Sequence, residues 1–591
     1  VLHNILLVTG NFWPEFLNAM ERAGLHTTPL TASKRPMEIH QRNKLPQLCM
    51  LAVSLLVLMY FLVRLSGYYH DDAYIVLRYV RNFIDGQGLA WNPGEYVEGY
   101  STFTWVMLIS LFGCFHVDLV LATKILGVIF AFATVVGFFY LPGRGKTSWG
   151  ALLLATNSCF ALWALGGLET ILFGFLLFLA CSMHMRLRQS KPGFLLNGLL
   201  FSLAAMTRPE GLLFFGITFS FVFFNGDVLR RHNFSRAASF VTGFLLLYVP
   251  YFIWRFWFYG YLFPCTYYVK GGTNFFKVLF GSRYVLHFLF GYGFPLLSAV
   301  LLNDKKRFVK NNFYLFSLLC IFSMYILCVG GDHMQGYRFF TPILPLFYLF
   351  IQNIFHEISL QKKWRIPGII FTAIISINFI VSYNSIPRGP QQNQEALRHS
   401  YKYKNCFSIP DPAAYLGRHI GTYIKKHWPR NAVVALNTAG SIPYYCRLQC
   451  IDMLGLNDYT IARRDMPRKN DLGPTTLTEI FALLSSEKRA AFKQKVLNTY
   501  LPWELIPGHG KGDGAYVLSR EPDYIILGSA QGSTQAWFPG DKELISSPDF
   551  ARNYRLQQVT IPVTDAYASY FEATRTGELL FTYYKKTTQG N

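Results

Sequence analysis

Charge is scarce in this chain, and negative charge scarcer still. Only 15% of the 591 residues are Asp, Glu, Lys or Arg, against 52% hydrophobic and 17% aromatic. A soluble chain of this length divides into domains whose helices carry a polar face. Here the apolar runs have no polar side, which excludes that class and points to membrane spans. Acids are outnumbered 33 to 55 by Lys and Arg, a net charge of +22. In a polytopic membrane protein such an excess gathers in cytoplasmic loops. There is no zinc-finger spacing and no aromatic/basic RNA-binding signature, so nucleic acid is not an expected partner. Internal repeats and low-complexity tracts are also missing, and residues 1–33 carry no cleavable signal pattern.

Most of the ten cysteines lie inside apolar runs, where a thiol behaves as inert packing. Cys446 and Cys450, in CRLQC, sit in polar sequence. Two readings stay open for them: a small disulfide, if that part is exported, or a reduced and buried pair.

Eleven apolar runs stand out, at roughly 45–63, 118–141, 149–165, 169–184, 194–206, 211–224, 237–258, 283–302, 313–329, 339–355 and 366–383. The loops between them sort by charge. One set is basic: Lys34 to Lys44, Arg144/Lys146, Arg186 to Lys191, Arg230 to Arg236, Lys305 to Lys310, and Lys362 to Arg365. The other set is short and carries Asp71/Asp72 to Glu98, Glu169, Glu210, Lys270 and Asp332. The two sets alternate, so the positive-inside rule places the basic set in the cytoplasm and the acidic set outside. Phe103–Phe115 is apolar but shorter than the roughly 17 residues a span needs. Counting it would invert every later loop, so it is read as a juxtamembrane helix. The expected divisions are a cytoplasmic extension 1–44, a transmembrane domain 45–384, and an extracytoplasmic α/β domain 385–591. The last begins with IPRGPQQNQ and mixes helix-like Ala413–His427 with strand-like Ala432–Leu436 and Tyr524–Leu527.

The polar groups that stand out all fall in the outer set: Asp71, Asp72, Arg78, Arg81, Glu98, Glu169 in GGLET, Arg208 and Glu210 in TRPEG, Lys270 in PCTYYVK, and Asp332, His333 and Arg338 in GGDHMQGYRFF. Acidic groups at a membrane surface are costly unless solvated or paired, so they default to function. Separate loops converging at one depth suggest a shared cavity in which a carboxylate serves as base and cations hold an anionic phosphate. Plainer readings stand beside this one. Asp72 is placed to N-cap a helix starting near Ala73. Arg78 and Arg81 are placed to snorkel to headgroups. Pro209 marks an ordinary turn. Asp332–His333 reads as a solvated loop, or as a metal pair with no third ligand in sight.

Five stretches carry a family resemblance: HDDAYIVLRYVRNFIDGQGLAWNPGEYVEGYSTFTW, ALGGLET, MTRPEG, YGYLFPCTYYVK and GGDHMQGYRFFTPILP. In this order and spacing the chain resembles the GT-C superfamily of polytopic glycosyltransferases, and in particular the mycobacterial terminal β-1,2-arabinofuranosyltransferase family. The match runs from about 45 to 345 and continues more weakly through CIDMLGLNDYTIAR and PGHGKGDGAYVLSREPDYIILG. The resemblance implies a GT-C-like membrane fold of about 11 transmembrane helices in a bacterial inner membrane, N-terminus inside. It implies inverting transfer of a sugar, such as arabinofuranose, from a polyprenyl-phosphate donor to a cell-envelope glycan or glycolipid on the extracytoplasmic face. Asp71 or Asp72 would be the general base, with Asp71 favoured. Arg208, Lys270 and Arg338 would neutralise the leaving phosphate, and Glu98, Glu169 and Glu210 would bind sugar hydroxyls or pair with the arginines. No cofactor is implied beyond the lipid-linked donor, and a divalent metal is left open. Two departures stand out. The chain is rich in Phe, Tyr, Lys and Ile where the mycobacterial enzymes are Ala/Gly/Val-rich, which points to another lineage, and Cys265 stands where Asn is expected. A transporter of lipid-linked sugars is the competing class, but it would place ionisable groups near the midplane and show repeated halves.

The charge alternation makes a direct prediction. A reporter enzyme fused after residue 390 is active only when that point lies outside the cytoplasm. A cytoplasmic signal would break the topology and restore Phe103–Phe115 as a span.

Overall fold

The computed structural model describes residues 44–141, 148–186, 191–224, 231–271, 275–361, 365–385, 410–466, 501, 506–565, 567–568 and 571–587. Apart from Lys44, the expected N-terminal extension and the IPRGPQQNQ stretch lie outside the described residues.

All eleven apolar runs lie in helices, but length sorts them. Among the described residues four helices are long and apolar enough to cross a membrane: Leu45–Arg64, Leu119–Tyr140, Phe234–Tyr259 and Thr341–Leu360. The number rises to seven if each of three bent helix pairs is one span. The 149–165 run shows how a long apolar stretch becomes short helices. Asn157 Oδ1 accepts the Cys159 and Phe160 amides at 3.0 and 3.3 Å. This side-chain cap starts the Ser158–Leu165 helix two residues after Trp149–Ala155 has ended. The Asn157 amide donates to the Tyr348 hydroxyl at 2.9 Å, and Asn378 donates to Thr156 Oγ1 at 2.7 Å. The polar groups freed by the break are therefore satisfied by neighbouring helices, as an apolar medium requires. Gly167, at φ +83°, then turns the chain, and Thr170–Arg186 leaves at 119° to Ser158–Leu165. Glu169 sits in that turn. Phe103–Cys114 has 12 residues, about 18 Å of helix against a hydrocarbon layer of about 30 Å.

Close helix packing rests on small residues. A Cβ on Gly198 would run into the Phe240 carbonyl, and one on Gly243 into the Leu195 carbonyl. The Lys191–Thr207 and Arg231–Tyr259 helices therefore touch backbone to backbone, as glycine permits in apolar surroundings.

The C-terminal part is built on a five-stranded sheet: β1 (Val433–Leu436), β2 (Gln449–Asp452), β3 (Tyr524–Ile526), β4 (Tyr554–Pro562) and β5 (Glu578–Lys586), in the order β2-β1-β3-β5-β4. β1 is parallel to both β2 and β3, while β5 is antiparallel to β3 and β4. The Pro412–His427 helix starts at Asp411, whose carboxylate accepts the Ala414 amide at 3.1 Å. It buries Ala414, Gly417, Ile420, Gly421 and Ile424, a helical stripe of i, i+3/i+4 spacing. That stripe packs on the short Ser441–Cys446 helix.

This domain grips the segment from Asp71 to Glu98. The Asp71–Ile84 helix is buried over ten of its 14 residues, enclosed by the membrane helices and the Ser441–Cys446 segment. Arg78 is the main tie. Its guanidinium donates to the carbonyls of Trp91 (2.6 Å), Pro443 (2.6 Å) and Leu448 (2.7 Å) and to Asn92 Oδ1 (2.9 Å). Arg81 donates to the Tyr444 carbonyl at 2.6 Å, and its guanidinium carbon lies 3.6 Å from the Tyr444 ring centroid. Neither arginine snorkels to headgroups; Arg81 and two of the Arg78 donors are held by backbone carbonyls of a segment more than 360 residues away. Asn92 and Cys450 exchange hydrogen bonds at 2.7 and 3.1 Å. Cys446 and Cys450 are both free and buried in the same contact, which is the reduced pair of the two readings.

Removing the Arg78 guanidinium takes a charged donor from three buried carbonyls and from Asn92 Oδ1, and a hydrogen bond to a charged group contributes about 1.5–3 kcal/mol. Arg78→Ala should lower the thermal midpoint and speed tryptic release of the C-terminal domain. Arg78→Lys should not restore it, because a single ammonium cannot span four acceptors. A wild-type melting curve for Arg78→Ala would remove the tie.

Candidate functional site

The two adjacent aspartates separate at the start of one helix. His70, not Asp72, is the N-cap: its Nδ1 accepts the Asp72 amide at 3.2 Å, and the helix starts at Asp71. Successive helical residues point about 100° apart. Asp71 turns into the C-terminal domain, where its Oδ1 accepts the Ser441 amide at 2.9 Å and the Ser441 hydroxyl at 2.5 Å. Gly440 lies flush against it, since a Cβ there would overlap the Asp71 carboxylate. Burial pushes the Asp71 carboxyl up to about 6, the Ser441 hydrogen bonds oppose this, and the negative charges of Asp411 and Asp72 add to it.

Asp72 keeps 31% of its side chain exposed, with His70 Nδ1 at 4.0 Å. Burial would raise its carboxyl, but the field of His70, Lys270, Arg338 and His333 outweighs that and holds it below the ordinary range. It is thus an ionised carboxylate facing positive charge.

The cations around it are not equivalent. Arg338 Nε donates to Asp332 Oδ2 at 2.6 Å. Burial would raise the Asp332 carboxyl, yet Arg338, His333 and Lys270 hold it well below the carboxylate range. His333 Nδ1 lies 3.6 Å from the other Asp332 oxygen. Arg208 is shared between two acids, with Nε 3.4 Å from Glu169 and Nη2 3.2 Å from Glu210. Phe339 separates these two arginines, with its ring 5.2 Å from one guanidinium carbon and 5.5 Å from the other. Lys270 differs from both: among the described residues its ammonium makes no ion pair within 4 Å. Burial lowers its pKa, and the charges of Asp72 and Asp332 counter that in part. The cluster therefore presents one open carboxylate and one open ammonium between two neutralised arginine pairs.

Eight of the twelve polar groups singled out from the sequence gather here in the sense that each touches or feels another: Asp72, Glu169, Arg208, Glu210, Lys270, Asp332, His333 and Arg338. Asp71 sits next to them but faces away. Glu98 is held elsewhere. It is buried in a two-pronged pair with Arg255, at 2.8 and 2.5 Å, and its carbonyl accepts the Cys265 amide at 2.9 Å. It braces the Gly/Trp/Pro loop against the Arg231–Tyr259 helix. Asp332 is not a solvated loop acid: its side chain is buried and Arg338 holds one of its oxygens. Among the described residues no three His, Cys, Asp or Glu side chains group as metal ligands.

Sequence reasoning passed over His70, Ser441, Arg255 and His509. His509 comes from the C-terminal domain, and its ring centroid is 5.2 Å from that of His333. Burial lowers its pKa to about 4, and the His333 and Lys270 charges add to that. Its one signal was the glycine-rich PGHGKGDG run.

Residues 413–576 match a family model described as a domain of unknown function, DUF8728. No curated protein matches the chain by sequence. Three solved structures are similar to it, all of them glycosyltransferases of the GT-C type. ArnT from Cupriavidus metallidurans, solved bound to undecaprenyl phosphate, is 9% identical over 77% of this chain and 91% of its own, with a TM-score of 0.46. The Archaeoglobus fulgidus oligosaccharyltransferase, tethered to an acceptor peptide, is 10% identical over 77% of this chain and 68% of its own, with a TM-score of 0.44. The arabinofuranosyltransferase AftD from mycobacteria is 12% identical over 92% of this chain and 40% of its own, with a TM-score of 0.41.

The raised Asp71 carboxyl has a signed consequence. The folded state holds its proton more tightly than the unfolded state. The Asp71 contribution to stability is therefore full below about pH 4 and is lost as pH rises through about 6. Asp71→Asn keeps the acceptor oxygen for Ser441 without the buried charge. It should be more stable than wild type at pH 7.5, by on the order of 2–3 kcal/mol, and equal to it near pH 4. Thermal midpoints across that range that never diverge would refute the assignment.

Proposed function

We propose that the chain is a membrane-embedded inverting glycosyltransferase that moves a sugar from a polyprenyl-phosphate donor to an acceptor hydroxyl. The observation that carries this reading is the pairing of an ionised, part-exposed Asp72 with the unpaired Lys270 ammonium in one cluster. Inverting transfer from a lipid phosphate needs one base and a place for a departing anion. The phosphate leaves as a stable anion, so no second carboxylic acid is required, unlike in glycoside hydrolysis.

In this reading Asp72 takes the proton of the acceptor hydroxyl as its oxygen bonds to the anomeric carbon. The anomeric C–O bond to phosphate breaks, and its electron pair leaves with the polyprenyl phosphate. Lys270 faces the charge that develops there, with Arg338 behind it on Asp332, which is the electrostatic logic of an oxyanion hole. A carboxylate already ionised at neutral pH is ready to accept a proton without prior loss of its own. The assignment of the base moves from Asp71, favoured on sequence, to Asp72, because the Asp71 oxygen is already occupied by Ser441. Glu169 and Glu210 hold Arg208 in place, and Glu98 braces the loop.

The finer terms extend the sequence resemblance. The donor sugar is a pentofuranose such as arabinose, and the acceptor is a cell-envelope glycan or glycolipid. Residues 45–384 are the catalytic membrane domain, and 385–591 lie on the extracytoplasmic side of an inner membrane whose cytoplasmic face holds the N-terminus.

The experiment is transfer from a radiolabelled polyprenyl-phosphate sugar in membranes. Asp72→Asn should express and insert normally and lose roughly 10²–10⁴-fold in rate, while Asp71→Asn stays within a few-fold of wild type. Full activity of Asp72→Asn would remove the base. Loss of activity in Asp71→Asn alone would return that role to Asp71.

A further inference from the structure

Two of the three cations that the sequence offers to a leaving phosphate are already engaged. Arg208 is divided between Glu169 and Glu210, and Arg338 lies on Asp332. That leaves Lys270. A phosphate monoester presents three non-ester oxygens, each able to accept more than one hydrogen bond, so a single ammonium meets only part of its demand. Two imidazoles, His333 and His509, also stand near Lys270. His333 stands between Asp332 and the C-terminal domain, 3.6 Å from the carboxylate on one side. On the other side its ring meets His509 edge-on at 5.2 Å.

The loop that carries His509 is shaped around Lys270. Gly508 has φ +95°, a left-handed conformation in which side chains are strained. A Cβ there would come 3.2 Å from Lys270 Cε, so the glycine backbone lies along the lysine stem. The next residue is His509, half-buried, with its ring stacked at 19° on Phe538 and centroids 5.8 Å apart. The glycine backbone thus runs beside the Lys270 stem and His509 follows it in the chain, although the lysine comes from the Cys265–Lys270 helix and the others from more than 230 residues later.

We propose that His509 contacts the phosphate of the ligand, so that an anionic phosphate monoester bridges the membrane helices and the C-terminal domain. This rests on the reading of the site as one for a polyprenyl phosphate. It adds that the C-terminal domain supplies part of the site and not only a cover for it. Lys270 and His333 belong to the membrane helices and their loops, and His509 belongs to the domain. Phosphate binding and domain docking then stabilise each other, because a ligand that binds only the docked form favours it.

The test uses the full-length protein in detergent micelles, with farnesyl phosphate as probe and farnesol as the phosphate-free control. His509→Ala should weaken farnesyl phosphate about tenfold, His509→Gln, which keeps an N–H donor, should recover part of that, and Lys270→Ala should weaken it more. Farnesol binding should be the same for all of them, and farnesyl phosphate should slow tryptic release of the C-terminal domain in wild type but less in His509→Ala. If His509→Ala binds like wild type while Lys270→Ala is weakened, the bridge is wrong and the polyprenyl-phosphate reading stands. If neither variant changes binding, both fail. If farnesol and farnesyl phosphate weaken together in His509→Ala, or if His509→Gln melts like wild type yet binds no better than His509→Ala, His509 is a packing residue and the proposal is overturned.

Discussion

Two neighbouring carboxylates in the first turn of a helix cannot point the same way. That constraint organises this molecule. Because the helix starts at Asp71 with His70 as its cap, the 100° step per residue sends one carboxylate toward Ser441 and leaves the other facing Lys270, His333 and Arg338. The first holds the domain to the helix, and the second, part-exposed, is the base in the proposed reading. Shifting the helix start by one residue would exchange their roles, so the histidine cap decides which acid is which.

The grip on this helix comes from hydrogen bonds to backbone, not from ion pairs. Arg78 and Arg81 donate to carbonyls of Trp91, Pro443, Leu448 and Tyr444. A guanidinium satisfied in this way pays its desolvation through several charge-assisted bonds, and no buried carboxylate is needed opposite it. The carboxylates are kept for the site itself. There Asp332 and Glu169/Glu210 neutralise one arginine each, while Asp72 and Lys270 stay open. A cluster rich in charge is stable in this form because most of its charges are paired.

The sequence was informative wherever the physics is local. Charge scarcity, the length of apolar runs and the alternation of basic and acidic loops mark a polytopic membrane chain with polar groups converging from separate loops. The helix-like Ala413–His427 and the strand-like Ala432–Leu436 and Tyr524–Leu527 fold as the Pro412–His427 helix and strands β1 and β3. Hydropathy cannot reveal a break made by one side chain, so the 149–165 run read as a continuous span although Asn157 divides it. The two readings of CRLQC could not be separated either, since spacing does not say whether two thiols are oxidised.

What stayed illegible depended on partners far away in the chain. Arg78 and Arg81 looked like interfacial anchors because three of the carbonyls that bind them, those of Pro443, Tyr444 and Leu448, lie beyond residue 440. Glu98 looked like a site residue because Arg255, which buries it, is more than 150 residues distant. His509 carried no signal except glycines around it, and only folding brings it beside His333 and Lys270. Residue type, period and charge balance are properties of the chain and survive being read in one dimension. Which acid is free and which cation is already paired depends on long-range geometry, because a charge is spent only when another group, from anywhere in the sequence, comes within a few ångströms of it.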